Sequence, residues 1–341
     1  MLTFIFRYDK IFLYQVRSTR EKENDMPHIT DRFYNSRWGV FTHYLGHGAT
    51  PAEEYNETVN SFDVKKVAKA LHDVGAGYYF ITIMQGKRFM LAPNETYNRI
   101  TGYKPGEACA ERDLIAELIP ELEKYGIDLY LYYTGDGPHY DRQAGEAMGF
   151  CDIDNPLWDK NGVVNPAPEQ VSIDYIKNWT SVLEEYAVRY GKGVKGWWFD
   201  GMYAWFGFNE EKCDYFRRAV KKGNSDAIVA FNNGVKRNNE HNWCGGDFIA
   251  GEANDFIFEH VLRGRFFEGG QNHKLVMLGY NKDNPRVAGW GKKGLQISKE
   301  YLKTYVNKAH EEGTVVTLEI AIERDGSFDP EQTDALKHIN T

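Results

Sequence analysis

The chain of 341 residues carries 41 Lys and Arg against 49 Asp and Glu, a net charge of −8, so it lacks the basic footprint of a general nucleic-acid binder. Hydrophobic residues at 42% and charged residues at 26% predict a soluble globular protein with a substantial core, and no segment approaches the roughly 18 consecutive apolar residues of a membrane span. Aromatic residues reach 15%, with 8 Trp and 22 Tyr, a content that suits either a tyrosine-rich core or the binding of flat, amphipathic ligands.

In chain order, the first 25 residues stand apart. Their apolar runs, 2–6 and 11–14, are interrupted by Arg7, Asp9 and Lys10, whereas a secretory signal needs a continuous apolar core of about 7–15 residues. Residues 1–25 are therefore predicted to be a disordered upstream extension with no export signal, cytoplasmic by default, ahead of one domain over 26–341. From Arg37 onward strand-like and helix-like blocks alternate. Strands are predicted at 38–43, 78–83, 127–133, 196–199, 227–231, 247–250, 274–278 and 314–320. Helices are predicted at 63–74, where Val64, Val67, Ala68, Leu71 and Val74 recur at helical spacing, and at 113–125, 171–190, 210–222, 298–312 and 330–339. Pro120 interrupts the second of these, while Gly191 and Gly313 follow two others as stop signals.

Eight strands with helices between most of them predict a parallel sheet, and about 300 residues is the size of a (β/α)8 TIM-type barrel. A doubly wound open sheet is the alternative, but no strand is followed by G-x-G-x-x-G or a Walker-type phosphate loop. Residues 134–170, rich in Gly, Asp and Pro, are expected to form an irregular substrate loop over the C-terminal face. The four cysteines (Cys109, Cys151, Cys213 and Cys244) are widely spaced, without a C-x-x-C pair, so buried free thiols are expected rather than a zinc site or disulfide scaffold.

A barrel reading turns strand ends into candidate site positions. These are 42–43, 82–85, 132–136, Asp200, Asn232 and Asn233, 247–252 and 319–323, and carboxylates and aromatics dominate them. The run Val194-Lys195-Gly196-Trp197-Trp198-Phe199-Asp200-Gly201 is the most telling. It is a buried strand that ends on an acid, beside tryptophan faces on which a sugar ring could rest. A turn- or helix-capping aspartate is the plainer alternative. No His/Cys cluster has metal-ligand spacing, no G-x-S-x-G marks a serine hydrolase, and no cofactor or metal is predicted. A carboxylate enzyme with aromatic walls remains, the equipment of glycoside hydrolysis.

Three blocks carry a resemblance to a known family. Arg37-Trp38-Gly39-Val40-Phe41-Thr42-His43 is similar to an opening GMFIHWG strand. Trp197-Trp198-Phe199-Asp200-Gly201 is similar to a WFDG nucleophile strand, the most specific block. The run from Asn232 through Gly246-Asp247-Phe248 to Glu252 is similar to an N…GDY…E region. Together with 313–318 and 325–336, these resemble the α-L-fucosidases of glycoside hydrolase family 29 over roughly residues 32–340. The resemblance implies a retaining exo-glycosidase acting on a terminal α-L-fucosyl or related sugar. Asp200 would be its nucleophile and Glu252 its acid/base, with Asp247 and Glu54 as alternatives for the second role. It also implies substrate-binding roles for His43, Tyr133 and Trp198; Glu54 and Gln85 are further candidates. Core packing is the competing account for His43, Tyr133 and Trp198.

One motif departs from the family. Where the family carries KHHDGF after its second strand, with two sugar-binding histidines, this chain reads Met84-Gln85-Gly86-Lys87-Arg88-Phe89. Losing both histidines should change which sugar fits, because a site built to hydrogen-bond hydroxyls discriminates through them. Gln85, Lys87 and Arg88 could bind another substituent, acidic or sulfated, with solvated loop residues as the simpler account. A carbohydrate-binding barrel without catalysis, or a glycosidase of altered sugar specificity, are the alternatives that this departure raises. The sugar, its linkage and the oligomeric state stay open.

Overall fold

The structure, a computed structural model, describes residues 27–44, 51–154, 171–235, 241–260, 264–283 and 288–341; the predicted extension at 1–25 and part of the 134–170 loop lie outside them. Its elements in chain order are α1 (Asp31–Asn35), β1 (Trp38–Thr42), α2 (Ala52–Ser61), α3 (Val64–Val74), β2 (Tyr78–Met84), α4 (Glu95–Thr101), α5 (Leu114–Glu123), β3 (Asp128–Thr134), α6 (Arg142–Met148), α7 (Ile173–Tyr190), β4 (Val194–Asp200), α8 (Glu210–Gly223), β5 (Ile228–Phe231), β6 (Glu252–Ala253), a hairpin of β7 (Phe266–Phe267) and β8 (Gly270–Gln271), β9 (His273–Met277), α9 (Lys299–Glu311), β10 (Val315–Glu319) and α10 (Pro330–Ile339). Eight strands pair in the order β5-β4-β3-β2-β1-β10-β9-β6, and every pairing in this sheet is parallel. Its two edges meet where Asp247 N donates to Val229 O at 2.8 Å and Val229 N donates to Asp247 Oδ2 at 2.9 Å. The architecture is the expected (β/α)8 barrel.

The strands form for the reason their sequences suggest. Aromatic and β-branched runs such as Tyr78–Met84 are buried along their whole length, as strands covered on both faces must be. One face points into the barrel, where Phe41, Phe80, Tyr130, Tyr132, Trp198 and Leu275 pack together. The other meets the helices. In α3 the carboxylate of Asp63 caps the first turn, accepting from Lys65 N and Lys66 N at 3.0 Å, and Gly75 ends the helix at φ +80°. Its Val67, Ala68, Leu71 and Val74 then face the sheet, fully buried. At the N-terminal mouth α1 inserts Phe33 between the rings of Tyr78, Tyr130 and Phe248, 4.9–5.4 Å away. The tyrosine-rich composition is thus largely spent on the barrel interior and the helix–sheet layer.

Four local expectations change. Strand six begins later than 247–250. Phe248 makes only a bridge to Gln271, and the paired strand is Glu252–Ala253. Gly251 separates them at φ +68°, and a Cβ there would stand 2.1 Å from His273 O. The 134–170 stretch is not wholly irregular, since Asp141 caps α6 inside it. Pro120 does not break α5; it lies inside the helix, on its solvent face. Finally, Cys213 and Cys244 are bonded as a disulfide with Cα atoms 6.2 Å apart, within the ordinary range for such a bridge. It ties α8 to the turn preceding β6. No local motif announces it, because the barrel, not the sequence spacing, brings the two together. Cys109 remains a free, buried thiol, pushed up to about 12 by burial.

Candidate active site

Asp200 is the last residue of β4, and alternation along that strand decides its direction. Trp198, two residues earlier, packs inside the barrel, so Asp200 rises on the same face at the C-terminal rim. Trp198 is in register with Tyr132 of β3, and the two rings stack at 5.4 Å. From there the Tyr132 hydroxyl reaches up and donates to Asp200 Oδ2 at 2.5 Å. Burial, and then the charge of Asp200, raise the Tyr132 phenol well above its usual range, so it stays a proton donor.

A second acid sits across from the first. Asn232, just past β5, donates from one nitrogen to both carboxylates: 2.8 Å to Asp200 Oδ1 and 2.7 Å to Glu252 Oε2. Those two oxygens therefore lie no more than 5.5 Å apart, the limit set by the two bonds. Burial chiefly, and next the charge of Asp200, push the Glu252 carboxyl up to about 8, while the Asn232 hydrogen bond pulls the other way.

His43, at the end of β1, joins the same group through its rings. It lies 5.8 Å from Tyr132 and edge-on to Trp290 at 5.6 Å. Its Nδ1 is 3.1 Å from Oε1 of the fully buried Glu319 at the end of β10, whose same oxygen accepts from Gly291 N at 2.8 Å. Gln85 follows β2 half-buried, with Oε1 enclosed and lacking a hydrogen-bond partner. Beside Glu252 a small pocket is lined by Asn233, Gly234, His241 and Trp243. Tyr203 and Trp205 stack face to face at 4.3 Å nearby, and the Tyr203 phenol is raised by burial and by the charges of Asp200, Glu252 and Asp136.

The remaining predicted residues lie elsewhere. Tyr133 faces the helices, not the rim. It is fully buried, stacked on Trp179 at 4.6 Å with its hydroxyl donating to Trp179 O. A strand cannot aim two successive side chains at the same face, and Tyr132 holds the inward position. Trp198 lies below the rim, 3% exposed, donating from Nε1 to Ala250 O at 2.9 Å. Its part is support for Tyr132, not a surface for a sugar. Glu54 lies on the outer face of α2, 42% exposed, paired with Arg324. Asp247 is committed to the backbone of Val229 at the seam of the barrel. Arg88 turns towards Asp141 at 3.7 Å and lies over the Phe89 and Tyr103 rings. Tyr132, Asn232, Glu319 and Asp136 were legible only as strand ends. Register with Trp198 is the signal that would have singled out Tyr132.

A (β/α)8 barrel that gathers carboxyls, a histidine and aromatic rings at the C-terminal ends of its strands defines a class, the glycoside hydrolases of this fold. The sequence profile of the α-L-fucosidases matches residues 14–341, so the chain belongs to the α-L-fucosidase family and acts on carbohydrate. No curated protein matches it by sequence. Among solved structures it resembles an α-L-fucosidase of family GH29 from Bacteroides thetaiotaomicron, at 18% identity and a TM-score of 0.57 over 92% of this chain and 73% of that one. It likewise resembles α-L-fucosidase AlfC from Lactobacillus casei, solved with its α-L-fucose product, at 15% identity and a TM-score of 0.60 over 91% and 96% of the two chains. A bacterial fucosidase with a monovalent iminocyclitol inhibitor is similar at 19% identity, a TM-score of 0.58, and 92% and 74% coverage. At these identities the likeness speaks for the fold alone.

Proposed function

We propose that this protein is a retaining exo-glycosidase that removes a terminal α-L-fucosyl or related sugar, with Asp200 as nucleophile and Glu252 as acid/base. The observation that carries the reading is the single Asn232 nitrogen shared by the two carboxylates, which keeps their nearest oxygens within 5.5 Å. Retaining enzymes hold the pair about 5–5.5 Å apart, and inverting enzymes leave room for a water at about 6.5–9.5 Å. In the first step an Asp200 oxygen bonds to the anomeric carbon as the glycosidic C–O bond breaks, and Glu252 gives its proton to the departing oxygen. In the second, Glu252 takes a proton from water, whose oxygen bonds to the anomeric carbon and releases Asp200. The raised Glu252 carboxyl supports the first role, because an acid must hold its proton at working pH. Tyr132, donating to Asp200 Oδ2, orients the nucleophile and tempers its charge until the new bond takes that charge over.

The test is stereochemical. Proton NMR of the first minutes of hydrolysis of a nitrophenyl α-L-fucoside is expected to show α-L-fucose forming before mutarotation; β-L-fucose as the first product would exclude a covalent intermediate on Asp200.

Asn232→Ala separates position from charge. Its amide favours the charged form of Glu252, so removing it raises the Glu252 carboxyl further. The alkaline limb of the kcat/KM profile should move to higher pH, while kcat/KM falls about 10- to 100-fold as both acids lose a shared hydrogen bond to an ionised group. A limb that stays in place would detach Asn232 from the proton donor.

A further inference from the structure

Where the resembled motif has its second histidine, this chain has Gly86, and another loop fills the space above it. Gly86 sits at φ +69°, and a Cβ there would meet Tyr140 Cδ2 at 3.0 Å and His139 Cε1 at 4.0 Å. Tyr140 N donates to Gly86 O at 2.9 Å, locking the loop after β3 onto the end of β2. The same loop carries a third carboxyl to the reacting centre. Gly135 N donates to the backbone oxygen of Asp200 at 2.6 Å. Gly201, immediately after Asp200 at φ +66°, faces Asp136 so closely that a Cβ would stand 2.7 Å from its Oδ2.

Thr134 and its own backbone approach the Asp136 carboxyl, but one oxygen is left over. Its Oδ1 is enclosed and makes no hydrogen bond, yet the side chain keeps 14% of its surface open. His139 lies on its other side, with Nδ1 3.6 Å from Asp136 Oδ2. Burial lowers His139 to about 4, so it supplies no positive charge at neutral pH. Burial, and then the charge of Asp200, hold the Asp136 carboxyl well above the usual range. A buried carboxyl with an unmet hydrogen-bonding atom is costly, and a bound hydroxyl is the group that would satisfy it.

We propose that Asp136 is a specificity-determining residue whose carboxyl binds a hydroxyl of the sugar held at Asp200, in place of the histidines missing after β2, and which turns away sugars bearing a carboxylate or sulfate there. The proposal rests on the placement of the sugar beside Asp200 given above. A neutral carboxyl both donates and accepts, so it matches a hydroxyl. An anionic substituent would meet Asp136 beside Asp200 and Glu252, three carboxyls at one rim.

The test compares wild type, Asp136→Ala and Asp136→Asn on nitrophenyl α-L-fucoside, on its analogues lacking one ring hydroxyl at a time, and on nitrophenyl uronides. Asp136→Ala is expected to lose about 10- to 100-fold in kcat/KM on the parent, mostly through KM. One deoxy analogue, poor for wild type, should be turned over equally by wild type and Asp136→Ala. Asp136→Asn should keep most of the activity and of the discrimination. Unchanged discrimination at every ring position overturns the proposal, and so does a wild-type preference for uronides. If wild type hydrolyses none of these glycosides, the catalytic reading fails on its own. Calorimetric titration with L-fucose and its deoxy derivatives then decides: loss of one hydroxyl's contribution in Asp136→Ala upholds the proposal, and equal binding by both proteins, or none by either, overturns it.

Discussion

Asp200→Ala is expected to lose roughly 10⁴-fold or more in kcat/KM toward an aryl α-L-fucoside, the scale seen when the residue forming a covalent intermediate is removed. The fold should survive. The substitution leaves Tyr132 and Asn232 each short of one acceptor, a loss of about 1.5–3 kcal/mol for each bond to an ionised group. Above about pH 8, where Glu252 is ionised as well, it also removes one of two carboxylates held within 5.5 Å, and relief of like-charge repulsion then offsets the lost bonds. The melting temperature of Asp200→Ala should therefore match or exceed that of wild type above about pH 8, and fall below it at lower pH, where Glu252 is neutral and the lost bonds are not offset. Activity within tenfold of wild type in a folded variant would end the assignment. Asp200→Gly with added azide gives a second reading. The azide enters directly against the leaving group, so the fucosyl azide should have the inverted, β configuration.

Replacing Glu252 by glycine should cost about 10²- to 10⁴-fold, the contribution of a positioned proton donor, with the loss largest for sugars whose leaving group needs protonation. With a good aryl leaving group the first step still proceeds. Azide should then resolve the intermediate and restore turnover, giving the retained α azide, the opposite anomer to that from Asp200→Gly. The pH profile carries an independent signature. Burial and the Asp200 charge hold the Glu252 carboxyl at about 8, so wild-type kcat/KM should fall as pH rises through that value, and the fall should vanish in Glu252→Gly. The same shift has a sign for stability. The folded-state value lies above the ordinary 4.5, so the protonated group favours folding at low pH, and that contribution is lost as pH climbs from about 4.5 towards 8. Glu252→Gln should consequently stabilise the protein more at pH 8 than at pH 4. A stabilisation that does not change with pH would show that Glu252 is not the group shifted by its surroundings.

Particular residues show how far the site could be read in advance. Asp200 was found because an acid ending a buried apolar run has no structural use in the core, and the WFDG resemblance gave it a role. For the second acid the resemblance implies Glu252 and leaves Asp247 and Glu54 as alternatives. Of the three acids, Glu252 shares a hydrogen-bond donor with Asp200, while Glu54 goes to Arg324 and Asp247 to the Val229 backbone. The resemblance points to Tyr133, whereas Tyr132 is the tyrosine that reaches Asp200. Adjacent tyrosines on a fully buried strand carry no alternation of polarity, so the sequence does not say which one faces inward; pairing with Trp198 does. The Cys213–Cys244 disulfide and the approach of Asp136 were invisible for a related reason, as each joins segments that meet only once the strands have curled.

The sequence by itself determined the alternation of strands and helices, and through it the barrel, because each apolar period is a local property that survives without knowledge of any partner. It also determined which strand ends on Asp200, and it marked the loss of the paired histidines at Gln85 and Gly86. Only the tertiary structure decided which acid faces Asp200, which tyrosine supports it, and what occupies the space the histidines left. Those are distances between residues on different strands. They are set by register and by the closure of the sheet, quantities to which no single stretch of chain contributes enough to reveal.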